Sequence, residues 1–591
     1  MDQWDAEGAF LFKPWIEGTL RIADLFRAHG EHRIVPSRIL ALGLLQLNHQ
    51  WDARLEMTVN AIICGGIAVA LVAALTQLFE PCRRTVILWA VGLWLALPYG
   101  YQNILWGFQS AFNFLILFSL LAMWGLGLHR PYAPAWWTGT LGLLLACLSM
   151  ATGFFSAIVV IGIWMLRFIV RRIQPGDALY TCALCMTAIA VSFYFRTAVP
   201  HHQAMKVSSP TSWAAVLASY LAWPFCDVPS LCLVMYLPVV LLVADYVANR
   251  NSQYGRPTRQ AEALIALAGW SILQAATIAY ARGGGPRSLP ASRYMDIFAL
   301  GTLANLLSCI YLVRRLPLRA QSRRMAYAAS ICWIAAVTIG AVVLTVRELK
   351  ELTFRENQNL VPIEQSVRAY VATGDSKYLR NNPAPAIPYP DAGRLATLLT
   401  DAAIRTILPA AVRAPLPIEK ERDFGNAFVS NGYPSSLREP PYEHGWGSYS
   451  AKGVAACGAM ESNVVRTQFP YLQIETAGYL GAGMSLALRG ERTNTQIRVS
   501  PSAHQNEEWH LNNVAMPDQA ARIISTDSNS ARWFGFREPR ELGRFSYYAD
   551  LVDRWGCLLS LCGFAILIWS TLLRHGRRVI IHCRNLMARL G

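Results

Sequence analysis

The sequence predicts a polytopic α-helical membrane protein with an appended C-terminal α+β domain containing a β-sandwich, and three observations carry that prediction. The 591-residue chain is 54% hydrophobic and only 15% charged, and it holds 19 tryptophans, a composition foreign to ordinary soluble domains. Its apolar residues gather into runs that approach or exceed the roughly 20 residues a helix needs to span a bilayer. From about residue 425 onward the pattern changes to short runs divided by Gly, Asn and Pro, which is how strands and turns read.

Taken in order, the runs predict about 11 spans: 57–79, 85–101, 110–128, 135–150, 153–170, 178–196, 230–248, 262–281, 295–313, 325–346 and 556–573. One such run fits a buried core helix; this many do not. The formal net charge of +16 is not the footprint of a nucleic-acid surface, because the basic residues sit in short clusters between apolar runs. "EPCRR", "LHRPYAP", "RRIQPGD", "NRNSQYGRPTRQ", "RRLPLRAQSRR" and the tail "RHGRRVIIHCRN" fall on alternate connections, and their arginine excess marks that side as cytoplasmic. The other side receives residues 1–50, "YGYQNILWGFQS", the loop around His201 and His202, "RGGGPRSLPASRY" and the polar block 347–553. A charged stretch of some fifty residues ahead of the first run, with no signal peptide, predicts a further transmembrane helix upstream of Met1. The predicted division is a membrane domain with an outer N-terminal loop over 1–346, an outer domain over 347–553, and a last span with a basic tail over 554–591.

Of the 13 cysteines, all but Cys457 lie in or beside apolar runs, so they read as small buried hydrophobes rather than as a disulfide or zinc framework. In the outer domain, "IEQSVRAYVATG" and "GRLATLLTDAAIRTIL" have helical spacing, and "YLQIETAG", "MSLALRG", "TQIRVS", "ARIIST" and "RWFGFREP" read as strands of a sandwich, plausibly a jelly roll. Its Trp446, Trp509, Trp533 and Phe536 are candidates for stacking on sugar rings, although strand aromatics more often face the core.

The candidate chemistry lies on the outer side. "DQWD" sets Asp2 and Asp5 at i and i+3, with Trp4 between them for the membrane interface, and "HGEHRI" supplies Glu31, His32 and Arg33 just before an amphipathic stretch. A carboxylate can take a proton from an attacking hydroxyl, and Arg or His can stabilise a departing phosphate. Gln102, Asn103, Trp106 and Gln109 are polar and aromatic groups embedded between spans, which fits either a pocket or interhelical hydrogen bonding. Arg282, Arg287 and Arg293, the last followed by Tyr294, stand on the outer side against the positive-inside bias, and guanidinium groups suit phosphate oxygens. His201 and His202 lack the partner spacing of a metal site.

On "DQWD", "EHR", "NILWGFQ" and "SRY" the chain resembles bacterial integral-membrane glycosyltransferases of the GT-C class. The similarity covers about residues 1–346. It implies a polyprenyl-phosphate-linked sugar donor, an acidic catalytic base in the first outer loop, here Asp5 or Asp2, and a soluble domain in the periplasm. The resulting expectation is an inverting transferase of the bacterial inner membrane that acts on an envelope glycan or lipid acceptor. Asp5 is the base, Glu31 and His32 orient the acceptor or a cation, and Arg33, Arg287 and Arg293 hold the phosphate. Membrane lipids are partners and nucleic acid is not. A carboxylate cluster of this kind works with or without a divalent cation. The competing expectations are a transporter or flippase of lipid-linked sugars, which calls for mid-membrane charges and internal repeats, and a non-catalytic glycan-assembly protein.

Overall fold

The computed structural model describes residues 3–79, 84–170, 175–197, 199–248, 258–284, 289–315, 320–355, 361–382, 387–438, 440–481, 483–500 and 506–590. Each of the eleven predicted runs is helical. Among the described residues seven helices are long and apolar enough to cross a membrane: Ala53–Leu78, Gly107–Leu128, Pro229–Ala248, Arg259–Arg282, Ser292–Val313, Gln321–Phe354 and Gly556–Leu573. The runs predicted at 85–101, 153–170 and 178–196 form shorter apolar helices, Arg84–Gly100, Phe155–Ile169 and Ala178–Tyr194, and the run at 135–150 forms the 14-residue helix Pro134–Cys147.

The chain divides into two compact units. One comprises Arg21–Leu40, Glu56–Phe354 and Thr571–Gly591; the other comprises Met1–Leu20, Ala41–Leu55 and Arg355–Ser570. Most of the N-terminal segment belongs to the unit that holds the sandwich.

In the first unit, Ser292–Val313 is the most enclosed of the spanning helices. Its Phe298, Leu303 and Leu307 join a core shared with Trp223, Trp270 and Leu264. Helices Ser110–Leu128 and Pro134–Cys147 approach closely at two glycines: a Cβ on Gly139 would lie 2.6 Å from the Leu126 nitrogen and 2.8 Å from the Gly125 Cα. Small residues at such crossings let backbones touch and gain dispersion contacts along the whole seam. Ion pairs lie inside this unit among the described residues. Arg167 binds Glu262 through two N–H···O bonds of 3.1 and 2.7 Å, Tyr246 donates to the same carboxylate, and Asp245 accepts from Arg315. Paired and hydrogen-bonded, these groups avoid the large cost of an isolated buried charge.

In the second unit, eleven strands form two antiparallel sheets: β1 (Lys420–Phe424), β2 (Val429–Ser430), β3 (Gly445–Gly447), β4 (Gly458–Arg466), β5 (Tyr471–Gly478), β6 (Met484–Gly490), β7 (Gln496–Arg498), β8 (His510–Ala515), β9 (Ala520–Asp527), β10 (Phe534–Arg537) and β11 (Arg540–Leu542). One sheet runs β1-β4-β9-β6-β7, and the other runs β11-β5-β10-β3-β2 with β8 also on β5. Within these, the quartets β4-β9-β6-β7 and β3-β10-β5-β8 follow the strand order of a jelly roll. Alternation decides the faces: Leu472 and Ile474 of β5, Leu486 and Leu488 of β6, and Phe534 and Phe536 of β10 meet in one core, as a period of two requires. All five strands expected from sequence are present. Of the four aromatics, Trp533 and Phe536 are buried, and Trp446 packs on the core and donates to the Ile418 carbonyl. Trp509 donates to the Leu437 carbonyl and lies under the Arg537 guanidinium, so all four serve the sandwich.

The same unit explains the fate of the N-terminal segment. Residues Trp4–Phe12 form a wide π-type helix followed by the helical turn Lys13–Ile16. Trp4 and Phe12 each meet Trp51 edge-on, and Trp51 donates to the buried Glu7 carboxylate. Lys13 pairs with Asp401. Asn48 caps the helix Arg544–Arg554 by accepting from the Phe545 and Ser546 N–H groups at 3.0 Å each, satisfying donors a helix start leaves orphaned.

Candidate functional site

The stretch "HGEHR" folds into a tight turn. His29 and His32 exchange backbone hydrogen bonds of 2.8 and 3.0 Å, and Gly30 takes φ +56°, a conformation open to glycine without steric cost. The turn carries Glu31. His32, next to it, accepts the Ala151 N–H at its Nδ1 at 3.1 Å, which leaves the proton of a neutral ring on Nε2. Arg33 donates to the Phe26 carbonyl at 2.7 Å and to the Phe195 carbonyl at 2.9 Å, and its guanidinium covers the Phe195 ring.

Two distant stretches meet this turn. His202 stands on the 3₁₀ turn Pro200–Met205, and Arg282 is the last residue of the helix Arg259–Arg282, where a cation also complements the helix dipole. The two are brought side by side because Val207 N–H bonds the Tyr280 carbonyl and Gly284 N–H bonds the Met205 carbonyl. A side chain on Gly284 would strike the Lys206 carbonyl, which accounts for glycine there. Glu31 Oε2 lies 2.6 Å from His202 Nδ1, and Glu31 Oε1 lies 2.8 Å from Arg282 Nη2.

Electrostatics divides these groups. Burial penalises the Glu31 charge, but the His32 ring and the Arg282 and His202 groups outweigh that and hold its carboxyl below the ordinary value. His32 goes the other way for its class: burial, supported by the neighbouring cations and opposed by Glu31, lowers it from 6.5 to about 4. At neutral pH the site therefore presents a carboxylate beside an uncharged imidazole.

These residues face a cavity of about 790 Å³ lined wholly by the first unit. Its walls are apolar, with Phe112, Leu144, Phe154, Ile158, Phe193 and Ile297 among them, and among the described residues its charged lining is Arg33, Arg196, Lys206, Arg282 and one carboxylate, Glu31. A long apolar surface beside a cluster of cations suits a ligand with an anionic head and a hydrocarbon chain.

The predicted residues separate on this geometry. Glu31, His32, Arg33 and Tyr294 line the cavity. Arg293 does not; its guanidinium stacks on the Tyr294 ring. Gln102 accepts the Arg293 N–H, and Asn103 donates to the Arg293 carbonyl and, at 2.6 Å, to Asp296, so these amides join two segments of the same unit. Trp106 is partly exposed and Gln109 half-buried, and neither lines the cavity. Asp5 belongs to the other unit, where it accepts from Arg394 at 3.0 Å and from the Tyr389 hydroxyl. Asp2 and Arg287 lie outside the described residues.

Sequence reasoning missed Arg196 and Lys206 as site residues and considered His202 only as a metal ligand. The signal that singled out Arg282, a cation on the side where the charge bias disfavours it, applies equally to Arg196 and Lys206. Among the described residues no group of three or more His, Cys, Asp or Glu is placed to hold a metal ion. No family model, no curated protein and no solved structure matches the chain.

Proposed function

We propose that the chain is an inverting glycosyltransferase of GT-C type with eleven spans, embedded in a bacterial inner membrane with its sandwich domain in the periplasm. It transfers a sugar from a polyprenyl-phosphate donor to an envelope glycan or lipid acceptor. The observation that carries this reading is the cavity, in which hydrocarbon-compatible walls, four cations and one carboxylate share a single space.

In this reading Glu31 is the base. Both acids have partners in the protein, but Glu31 lines the cavity and Asp5, the base expected from the first outer loop, does not. The acceptor oxygen attacks the anomeric carbon from the face opposite the phosphate, and its proton passes to Glu31. The bond between that carbon and the phosphate oxygen breaks with its electron pair going to the phosphate, so the configuration inverts. Arg282 and His202 act as positioning residues by fixing both oxygens of Glu31, and preorganised groups of this kind stabilise developing charge without moving.

The test is release of free polyprenyl phosphate from a defined lipid-linked sugar by purified protein in detergent, where no sealed membrane exists. Release that disappears in Glu31→Gln supports transfer. A wild-type protein that binds the donor and releases nothing with any acceptor offered points instead to the transport reading.

A further inference from the structure

Four cations line the cavity, and their partners divide them. Arg282 is bonded to Glu31 and to the Met205 sulfur. Arg33 donates to two main-chain carbonyls and covers an aromatic ring. Each of these two guanidinium groups therefore already commits part of its five N–H donors to the protein. Arg196 and Lys206 differ: among the described residues neither pairs with a carboxylate, and the Lys206 ammonium stands 5.7 Å from the centre of the Tyr280 ring. Both line the same cavity as Glu31.

We infer that Arg196 and Lys206 form the anion clamp of this cavity and that the anion they take is a phosphate carried on a long apolar chain. Arg196 and Lys206 offer a phosphate's oxygens donors for which no carboxylate among the described residues competes, and guanidinium and ammonium groups both commonly bind phosphate in proteins. The lining also argues for the chain. Phe193 and Phe195 flank the segment that bears Arg196, and Leu144, Phe154 and Ile158 extend the apolar wall, surface that a free phosphate would leave uncovered and a neutral lipid would leave facing unpaired charge. Of the phosphate ligands expected from sequence, Arg33 lines the cavity but already donates to two carbonyls, Arg293 does not line it, and Arg287 lies outside the described residues. This inference rests on the proposed reading only for the chemistry of the ligand and requires no transfer step.

Binding without turnover tests it. Purified full-length protein in detergent is titrated with a long-chain prenyl monophosphate lacking any sugar, with the corresponding neutral prenol, and with inorganic phosphate. Affinity is read by calorimetry and by the rise in Tm. The expected result is tight binding of the prenyl monophosphate alone. The double variant Arg196→Gln with Lys206→Gln should bind it roughly tenfold or more weakly, as loss of two charge-assisted hydrogen bonds implies. Charge-preserving exchange, Arg196→Lys with Lys206→Arg, should retain most of the affinity and serves if the neutral pair impairs folding. Equal binding by wild type and the neutral double variant overturns the clamp. Equal affinity for prenol, or for inorganic phosphate, overturns the lipid-phosphate ligand. Tight prenyl monophosphate binding by a wild-type protein that transfers no sugar would sink the catalytic reading and leave the clamp standing, so the two failures give different results.

Discussion

Glu31 and His202, 171 residues apart in the chain, meet at 2.6 Å, and Arg282 closes on the other oxygen of the same carboxylate. If that carboxylate is the base, Glu31→Gln removes transfer by several orders of magnitude while the protein stays folded, since the amide keeps the shape and can still accept from Arg282. Asp5→Asn provides the contrast. It weakens a partly exposed pair with Arg394, worth at most about 1 kcal/mol, and should leave turnover per folded molecule near wild type. Turnover assays of the two variants with the same lipid-linked donor decide between the acids; the opposite pattern restores Asp5 as the base.

The depressed His32 makes acid sensitivity predictable. Its folded-state value of about 4 lies below the ordinary 6.5, so the unfolded chain binds the proton more readily. The stability this ring contributes is complete above about pH 6.5 and is lost progressively as the pH falls toward about 4. His32→Gln, whose amide oxygen can accept the Ala151 N–H, should flatten the fall in Tm across that window. An unchanged pH profile in the variant would remove His32 as its cause.

A second acid effect belongs to the sandwich unit. Burial alone would raise the Glu475 carboxyl, but Arg368, Arg537 and Arg540 outweigh it and hold it below the ordinary value. Its contribution is therefore present above the ordinary carboxylate pKa and is lost as the pH drops through the lower folded one. Glu475→Gln leaves three guanidinium groups with less compensation and should destabilise this unit by about 3–5 kcal/mol, the range for breaking a buried pair. Chemical denaturation followed by fluorescence of the buried Trp533 measures it; a change under 1 kcal/mol contradicts the argument.

Helix contact in the first unit gives a packing prediction. Gly139→Ala places a methyl group against the backbone of the neighbouring helix, and because neither main chain can yield without parting the seam, the cost should be about 1–3 kcal/mol. Gly92→Ala, where the added methyl meets nothing within 4 Å, is the control and should be neutral or slightly stabilising. Thermal unfolding in detergent compares the two, and equal Tm values would contradict the close approach.

Much of the architecture was present in local pattern. Runs of apolar residues became helices, and "YLQIETAG" and "MSLALRG" became β5 and β6, whose Leu472, Ile474, Leu486 and Leu488 meet in one core. Periodicity is a property of neighbouring residues, so it survives without knowledge of the fold. Strands β1 to β4, β8 and β11 match none of the expected runs; "GWG" has too few side chains to alternate and "HLNNVA" is polar on both faces. The shortness of Pro134–Cys147 was likewise not legible in an apolar run that continues past its end.

By itself the sequence determined the helical and stranded classes, the apolar runs, and that Glu31, His32 and Arg33 stand together ahead of them. Tertiary structure alone decided which charges serve together: Glu31 with His202 and Arg282, and Asp5 with Arg394 and Tyr389. Local pattern reports burial and backbone conformation over a few residues, whereas an ion pair depends on where two remote segments are delivered, and that follows from the packing of every element between them.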